Sequence, residues 1–552
     1  MVALRVLVFL VASTATFSAT HAGDVHPLLL ADRFFGAETP AALRLRIQPK
    51  AVAHFNQIAA DLLVDQLPRL VIPSINHKLP GDQGIIRLSK IHISRFKKAQ
   101  VHEIKLAEPN RLILKMQNFN VGLIGDLTGN VNILVPLDLE GKAEVLAEGL
   151  NFNLDASIGR NENGSAVIKP LSCTATIRTV DVMNHNGGIF GLALNVFKQA
   201  IAENVRHLLM AQICKEVKKF IDQVLNQRLA DTQSKISLNE TMKLNSFGKM
   251  VKSGGPIDAI SETLMDKKMI ADFFIDYRLT ENPICDQNGL ELASVGEISY
   301  LGLGNTPFSP RPLEWPTNKA RNASSISIMV ADYLPNTFLY HAYKQGFLKF
   351  VLNDKSPSVG SFLKTKCDDD AVCISEILPA LGDHFPDHPI ELVFVASRAP
   401  ALLFTEKQGG VISINVHGML LLYAIEGSNK KQASVFHVDV VADNKLQIQN
   451  NTLQGTVSLS RFSLRNETGI VKVTDADLAD LALLCSELLE NLFNTALENG
   501  FPIPLPPVVQ LDNVDVEILN RNVFINADFR LEKRALGDLI VRAIFGVMEN
   551  MF

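Results

Sequence analysis

Apolar and polar positions follow two periods along this chain, and the switches between them outline its elements. Leu43–Ile47 (LRLRI) alternates residue by residue, the period of a strand with one apolar face. From Pro49 the apolar positions recur every three or four residues, at Val52, Phe55, Ile58, Ala59, Leu62 and Leu63. That spacing predicts a helix opened by the proline and running to about Gln66. Between Ile85 and Ile177 alternation returns in long runs broken by Gly, Asn, Pro and Asp, as in an antiparallel meander. A turn-forming NHNGG follows at Asn184–Gly188. Then Leu194, Phe197, Ile201, Val205, Leu208 and Leu209 mark one face of a helix reaching about Asp231. Cys173 on the preceding strand and Cys214 on this helix suit a disulfide, worth about 4 kcal/mol by the chain-entropy estimate.

After the strands FFIDYRL and LELASVGEISYLGL, Thr306–Thr317 holds four prolines and the only tryptophan, and reads as an extended linker. The pattern then restarts. Ser324–Val330 predicts a strand, Asn336–Leu352 a helix, and 390–473 a second strand-rich run. Asp475–Asn499 predicts a long leucine-rich helix, capped by Thr474 and ended by Gly500, before two returning strands. Strand, helix, meander, long helix and return occur once on each side of the linker, a duplication of organisation with little residue identity.

Composition narrows the setting. Met1–Ala22 carries Arg5, a short apolar run and small residues before Gly23, which predicts a cleaved secretory leader. No later run reaches the roughly 20 apolar residues of a membrane helix. Sequons at Asn163, Asn239, Asn322, Asn450 and Asn466 fit a secreted, extracellular glycoprotein. A net charge of −5 gives no overall footprint for nucleic acid. A hydrophobic fraction of 47% without a membrane span fits large cores, or surface lining a cavity for an apolar ligand. No nucleophile elbow or zinc helix occurs, the GLGNTP at Gly302 is no dinucleotide loop, and Asp368–Asp370 lacks calcium-loop spacing. No catalytic residue, metal or cofactor is therefore expected.

The chain resembles the family of bactericidal/permeability-increasing protein, lipopolysaccharide-binding protein and the plasma lipid-transfer proteins. The resemblance rests on Cys173/Cys214, the helix opening RIQPKAVAHFNQIA and the Pro-rich segment after FFIDYRL. ISIMVADYLPNTFLYHAYKQGFLKF and FPIPLPPVVQLDNVDVEIL extend it over nearly the whole mature chain. It implies an α+β fold: an elongated two-domain boomerang, each half a β-barrel with long amphipathic helices, joined by a central antiparallel sheet. The implied organisation is a leader at 1–22, an N-terminal domain at 23–300, a linker at 301–319, a C-terminal domain at 320–533 and an amphipathic tail helix at 534–552.

The family also implies an apolar pocket in each half holding bound phospholipid or another amphipathic lipid. The helix faces then supply candidate lining residues: Phe55, Ile58, Leu62, Phe197, Ile201, Val205 and Leu208 in the first half, and Phe338, Phe347, Leu484 and Leu488 in the second. Arg87, Lys90, Arg95, Lys97 and Lys98 are candidates for a lipid headgroup, or a solvated edge-strand face. The stretch 126–144 departs from the bactericidal member's basic tip, setting Lys142 against Asp126, Asp138, Glu140 and Glu144. Lipid carriage or transfer therefore ranks ahead of an innate-immune role in binding lipopolysaccharide, with peripheral contact to a membrane or lipid particle in either case. Cys367 and Cys373 bracket a loop they can close as a second disulfide. Cys285 and Cys485 are either a cross-domain pair or two free thiols. The tail is expected to gate lipid exchange, or to dock on the core or on a membrane surface.

Overall fold

The computed structural model describes residues 22–30, 40–66, 71–72, 74–78, 84–132, 136–184, much of 199–231, 234–238, 271–316, 324–356, 359–367, 372–449, 452–498, 501–502 and 509–531. Alternation of side chains dictates the dominant elements. In the first half, strands Gly84–Lys97, Val101–Ala107, Arg111–Asn132, Pro136–Arg160, Ala166–Thr176 and Thr179–Asn184 form most of an eight-stranded antiparallel sheet. In the second, Ile390–Ala396, Ala401–Thr405, Val411–Glu426, Asn429–Gln449 and Thr452–Gly469 form most of a seven-stranded one. Register shifts at 89/92, 93/95, 117/119 and 155/156 in the first sheet, and at 422/423, 435/436 and 441/442 in the second, bend these long strands. Each extra residue sharpens the local twist and bends the strand, consistent with the sheet's curl into a half-barrel.

A central sheet joins the halves. Its strand order is 284–286, 289–294, 43–47, 326–331, 522–531, 509–519, so Leu43–Ile47 lies between a strand of its own half and one of the other. Gly289 has φ +131, and a Cβ there would collide with the Ile47 carbonyl; glycine is what lets the strand pair so closely. Polar residues are buried across the seam only because each has a partner. Gln48 Nε2 donates to Ser327 Oγ at 2.7 Å, and Ser327 Oγ donates to Asn526 Oδ1 at 2.6 Å. Beside this ladder, Ser325 Oγ and Lys50 Nζ both donate to Asp528 Oδ1, at 2.8 and 2.7 Å. Arg46 pairs with Glu291 at 3.0 Å and stacks over Trp315 at 4.2 Å.

The Pro-rich segment is extended, as its composition predicts, and it is packed. Phe308 and Leu313 are buried in one cluster with Tyr333, Tyr340 and Phe524. Val25 and Leu29 join that cluster, so the chain immediately after the expected leader is anchored on the second half. Asp24 O accepts the Ala399 N–H at 2.9 Å, and the Asp24 carboxylate pairs with Lys344 at 3.2 Å.

Most predicted elements form where their periods place them. The helix Pro49–Gln66 is found as expected. In the helix Asp475–Glu498, Thr474 Oγ1 accepts the Asp477 N–H at 3.2 Å while Asp477 returns the bond to the Thr474 N–H at 3.0 Å, a reciprocal cap. One expectation is corrected. The helix predicted to run to Leu352 spans Tyr333–Lys344 only. Gly346, at φ +73, turns the chain, and Lys349–Leu352 becomes a strand paired with Ile390–Ala396. The apolar residues after Gly346 fit either period, and the neighbouring strand decides between them.

Candidate functional site

The long helices of each half are fixed to the sheets by apolar packing and by a recurring polar contact. In the first half, Leu209, Met210, Ile213, Val217 and Ile221 pack against Phe119, Leu150, Phe152 and Leu154. The disulfide Cys173–Cys214 ties this helix to its strand with Cα atoms 5.7 Å apart, confirming the pairing expected from sequence. A π turn at Ile221–Leu225 precedes Asn226, whose side chain reaches the free edge of Ala166–Thr176. Its Oδ1 accepts the Ile168 N–H at 2.9 Å and its Nδ2 donates to the Ile168 carbonyl at 2.7 Å. On the helix Pro49–Gln66, Asn56 Nδ2 donates to the His102 carbonyl at 3.0 Å.

In the second half, Leu478, Leu481 and Ala482 of the long helix enter a core with Phe436, Val438 and Leu464. Between this helix and the strand Thr452–Gly469 lies a groove of about 660 Å³. Phe462, Leu464, Leu478, Ala479, Ala482 and Leu483 line it, with Ser463, Arg465, Asn466, Asp475 and Ser486 as its polar members. Leu483 is 62% exposed, a leucine held in the groove without being part of the core. A groove of this volume, with polar and apolar residues in comparable share, suits an amphipathic ligand rather than a purely apolar one.

The candidate residues divide. Leu484 is half-buried on the helix that walls the groove but does not line it. Phe338 and Phe347 pack edge-on against Phe273, at 4.9 and 6.1 Å between ring centroids, and so are part of an aromatic core. Phe55 is exposed. The side chains of Ile58, Leu62 and Leu488 lie outside the described residues, as do Phe197, Ile201, Val205 and Leu208. Sequence reasoning missed Leu478, Ala482 and Leu483, along with Phe462 and Leu464 opposite them. The alternation in VSLSRFSL marks the strand, but which helix face meets it depends on tertiary packing.

The five basic candidates are all exposed along Gly84–Lys98. Lys90 pairs with Asp126 at 3.0 Å, and Arg95 with the buried Glu144 at 3.2 Å. Arg87, Lys97 and Lys98 have no ion pair among the described residues. Asn163 and Asn466 are exposed, as sequons require, while Asn239, Asn322 and Asn450 lie outside the described residues. Cys367 and Cys373 form the second disulfide. Cys285 and Cys485 are free thiols. The Cys285 thiol donates to the Arg111 carbonyl at 3.2 Å, and burial pushes the Cys485 thiol up to about 11, so neither is poised for reaction. Residues 1–21 of the expected leader and the tail at 534–552 lie outside the described residues, and no described helix is long and apolar enough to cross a membrane.

Fold and site together define a class: an α+β protein of two strand-rich halves, each carrying a long helix, joined by a shared central sheet. The chain belongs to the LBP / BPI / CETP family. The model of that family's N-terminal domain matches residues 53–227, and the model of its C-terminal domain matches residues 267–531. Human lipopolysaccharide-binding protein is 24% identical over 397 residues, covering 71% of this chain and 73% of its own. The bactericidal permeability-increasing protein of Sebastes schlegelii is 19% identical, over 88% of this chain and 94% of its own. A crystal structure of lipopolysaccharide binding protein, 18% identical, aligns over 89% of this chain and 99% of that one, with a TM-score of 0.47.

Proposed function

We propose that this is a secreted, non-catalytic lipid-binding protein that holds the acyl chains of a phospholipid or similar amphipathic lipid against its long helices, and carries or transfers it. The groove beside Asp475–Glu498 carries this reading, because it combines apolar residues with polar ones that suit a headgroup. Each methylene buried there contributes about 0.8 kcal/mol, so a chain of ordinary length gains enough to be retained without a covalent or metal link. The disulfide-tied helix of the first half is the corresponding wall of a second slot, and the tail at 534–552 is proposed to cover a pocket mouth.

The second reading, recognition of lipopolysaccharide or another bacterial envelope lipid through basic residues, draws on the names of the relatives and on Arg87, Lys97 and Lys98. It ranks below lipid carriage because Lys90 and Arg95 are already matched by acids, and 126–144 is acidic on balance. Mass spectrometry of lipid extracted from the purified protein, with titrations of phospholipid vesicles and lipopolysaccharide at several salt concentrations, separates the two. Co-purified phospholipid with weak, salt-sensitive lipopolysaccharide binding is expected. An empty protein with tight lipopolysaccharide binding would reverse the order.

A further inference from the structure

A second, smaller cleft of about 260 Å³ has different chemistry. Gly23, Ser397, Arg398, His417, His437 and Asp439 are on its walls. Phe436 and Val438 face the core of the C-terminal half, and alternation puts His437 and Asp439 on the opposite face of the same strand. The acids near the cleft are already committed. Asp439 accepts from His417 Nδ1 and, at 2.9 Å, from Arg465, while Glu467 pairs with His437 at 3.0 Å. Arg398 is different: its Nε is buried with no hydrogen-bond partner, and no carboxylate pairs with it among the described residues.

The backbone around Arg398 is held on both sides. The Ser397 carbonyl accepts the Tyr343 hydroxyl at 3.0 Å, and the Ala399 N–H donates to Asp24 O at 2.9 Å. The Arg398 side chain is thus presented to an open, polar cleft from a bend held on both sides, with no carboxylate paired to it among the described residues. His26, whose ring lies 6.5 Å from that of His417, sits beside the cleft. Its pKa is held below the ordinary value, first by burial and then by the positive charges of Arg398, His417 and Arg521.

We propose that this cleft binds a phosphate-type oxyanion, with Arg398 as its main ligand and His417 and His437 as supporting donors. A planar guanidinium matches two oxygens of a tetrahedral anion, and such charge-assisted bonds are strong. Each imidazole commits one nitrogen to a carboxylate and, when protonated, offers the N–H of the other. Leader cleavage after Ala22 would add an α-ammonium at Gly23 on the same wall. The anion is either soluble phosphate or the phosphomonoester of a lipid headgroup, which bind through the same chemistry.

The test uses the full secreted chain. Inorganic phosphate is titrated calorimetrically against chloride at constant ionic strength, for the wild type and for Arg398→Gln. Saturable binding by the wild type is expected, weakened about tenfold or more by the substitution. His437→Gln, on an exposed side chain that leaves folding intact, is expected to weaken it several-fold. Sedimentation with phosphatidylcholine vesicles, with and without phosphatidic acid, separates the sources. Capture by phosphatidic acid that phosphate competes away and Arg398→Gln abolishes assigns the headgroup; phosphate binding without capture assigns the soluble anion. No saturable phosphate binding, or equal affinity in wild type and Arg398→Gln, overturns the proposal.

Discussion

The carboxamide of Asn494 engages both backbone groups of Val457: its Oδ1 accepts the N–H at 2.7 Å and its Nδ2 donates to the carbonyl at 3.0 Å. Asn226 holds Ile168 in the same way, and Asn336 holds Leu402, with its Oδ1 at 2.7 Å from the N–H and its Nδ2 at 2.6 Å from the carbonyl. A carboxamide presents the donor and acceptor of a peptide group, so each asparagine stands where a further strand would pair. Late in both long helices the device recurs, at Asn226 and Asn494. The two halves thus share this contact at matching places despite little residue identity.

Replacing Asn494 with Leu should leave the Val457 N–H and carbonyl without partners. A loss of about 1–3 kcal/mol is expected. Urea unfolding should show a lower midpoint with unchanged slope, and Asn226→Leu should act similarly through the first half.

Cys214→Ser should loosen lipid retention in the N-terminal slot more than in the C-terminal one, where no disulfide ties the helix Asp475–Glu498 to its strand among the described residues. Site-resolved lipid release, followed with a fluorescent phospholipid, measures this. Equal loss from both slots would mean general unfolding instead.

Within the long helix of the second half, two leucines should separate groove from core. Leu483→Asp should empty the groove at little cost in stability, since the side chain is already 62% exposed. Leu481→Ala, at a residue 3% exposed, should cost about 2–5 kcal/mol. Bound lipid per chain and the unfolding midpoint, measured on the same samples, distinguish the two effects.

Acid should weaken the junctions between the halves. Burial raises the Asp528 carboxyl, but bonds from Lys50, Asn513 and Ser325 outweigh it and hold the group down at about 2, against an ordinary 3.8. Burial likewise opposes ionisation of Glu297, yet His341 and Thr306, which donates at 2.6 Å, keep it below its ordinary value. Depressed carboxyls contribute stability that is present above their unfolded values and lost as pH falls through their folded ones. Melting temperature should therefore fall between about pH 4 and pH 2, and Asp528→Asn or Glu297→Gln should flatten that fall.

Deleting Arg534–Phe552 should change the rate of lipid exchange between vesicles. If lipid occupancy and transfer rate both match the full chain, the tail does not gate a pocket.

Local periods settled a large part of this protein in advance. The strand at 43–47, the helices from Pro49 and Asp475, the meander and its repeat beyond the prolines are each encoded by spacing within a few residues. The Cys173–Cys214 link was legible for the same reason, since a strand and the helix that follows it pack as neighbours. What spacing does not encode is the partner. Leu43–Ile47 alternates whichever strands flank it, and only the tertiary structure places it between 289–294 and 326–331. Periodicity marks the helix Asp475–Glu498 as apolar on one side, yet only the packing shows that Leu481 stays in the core, Leu478 reaches both core and groove, and Leu483 belongs to the groove alone. Asn226, Asn336 and Asn494 carry no signal in the local spacing, and their role exists only where a sheet edge needs a donor and an acceptor. Short-range stereochemistry is written in neighbouring residues, whereas pairing, grooves and shared edges arise from residues far apart in the chain.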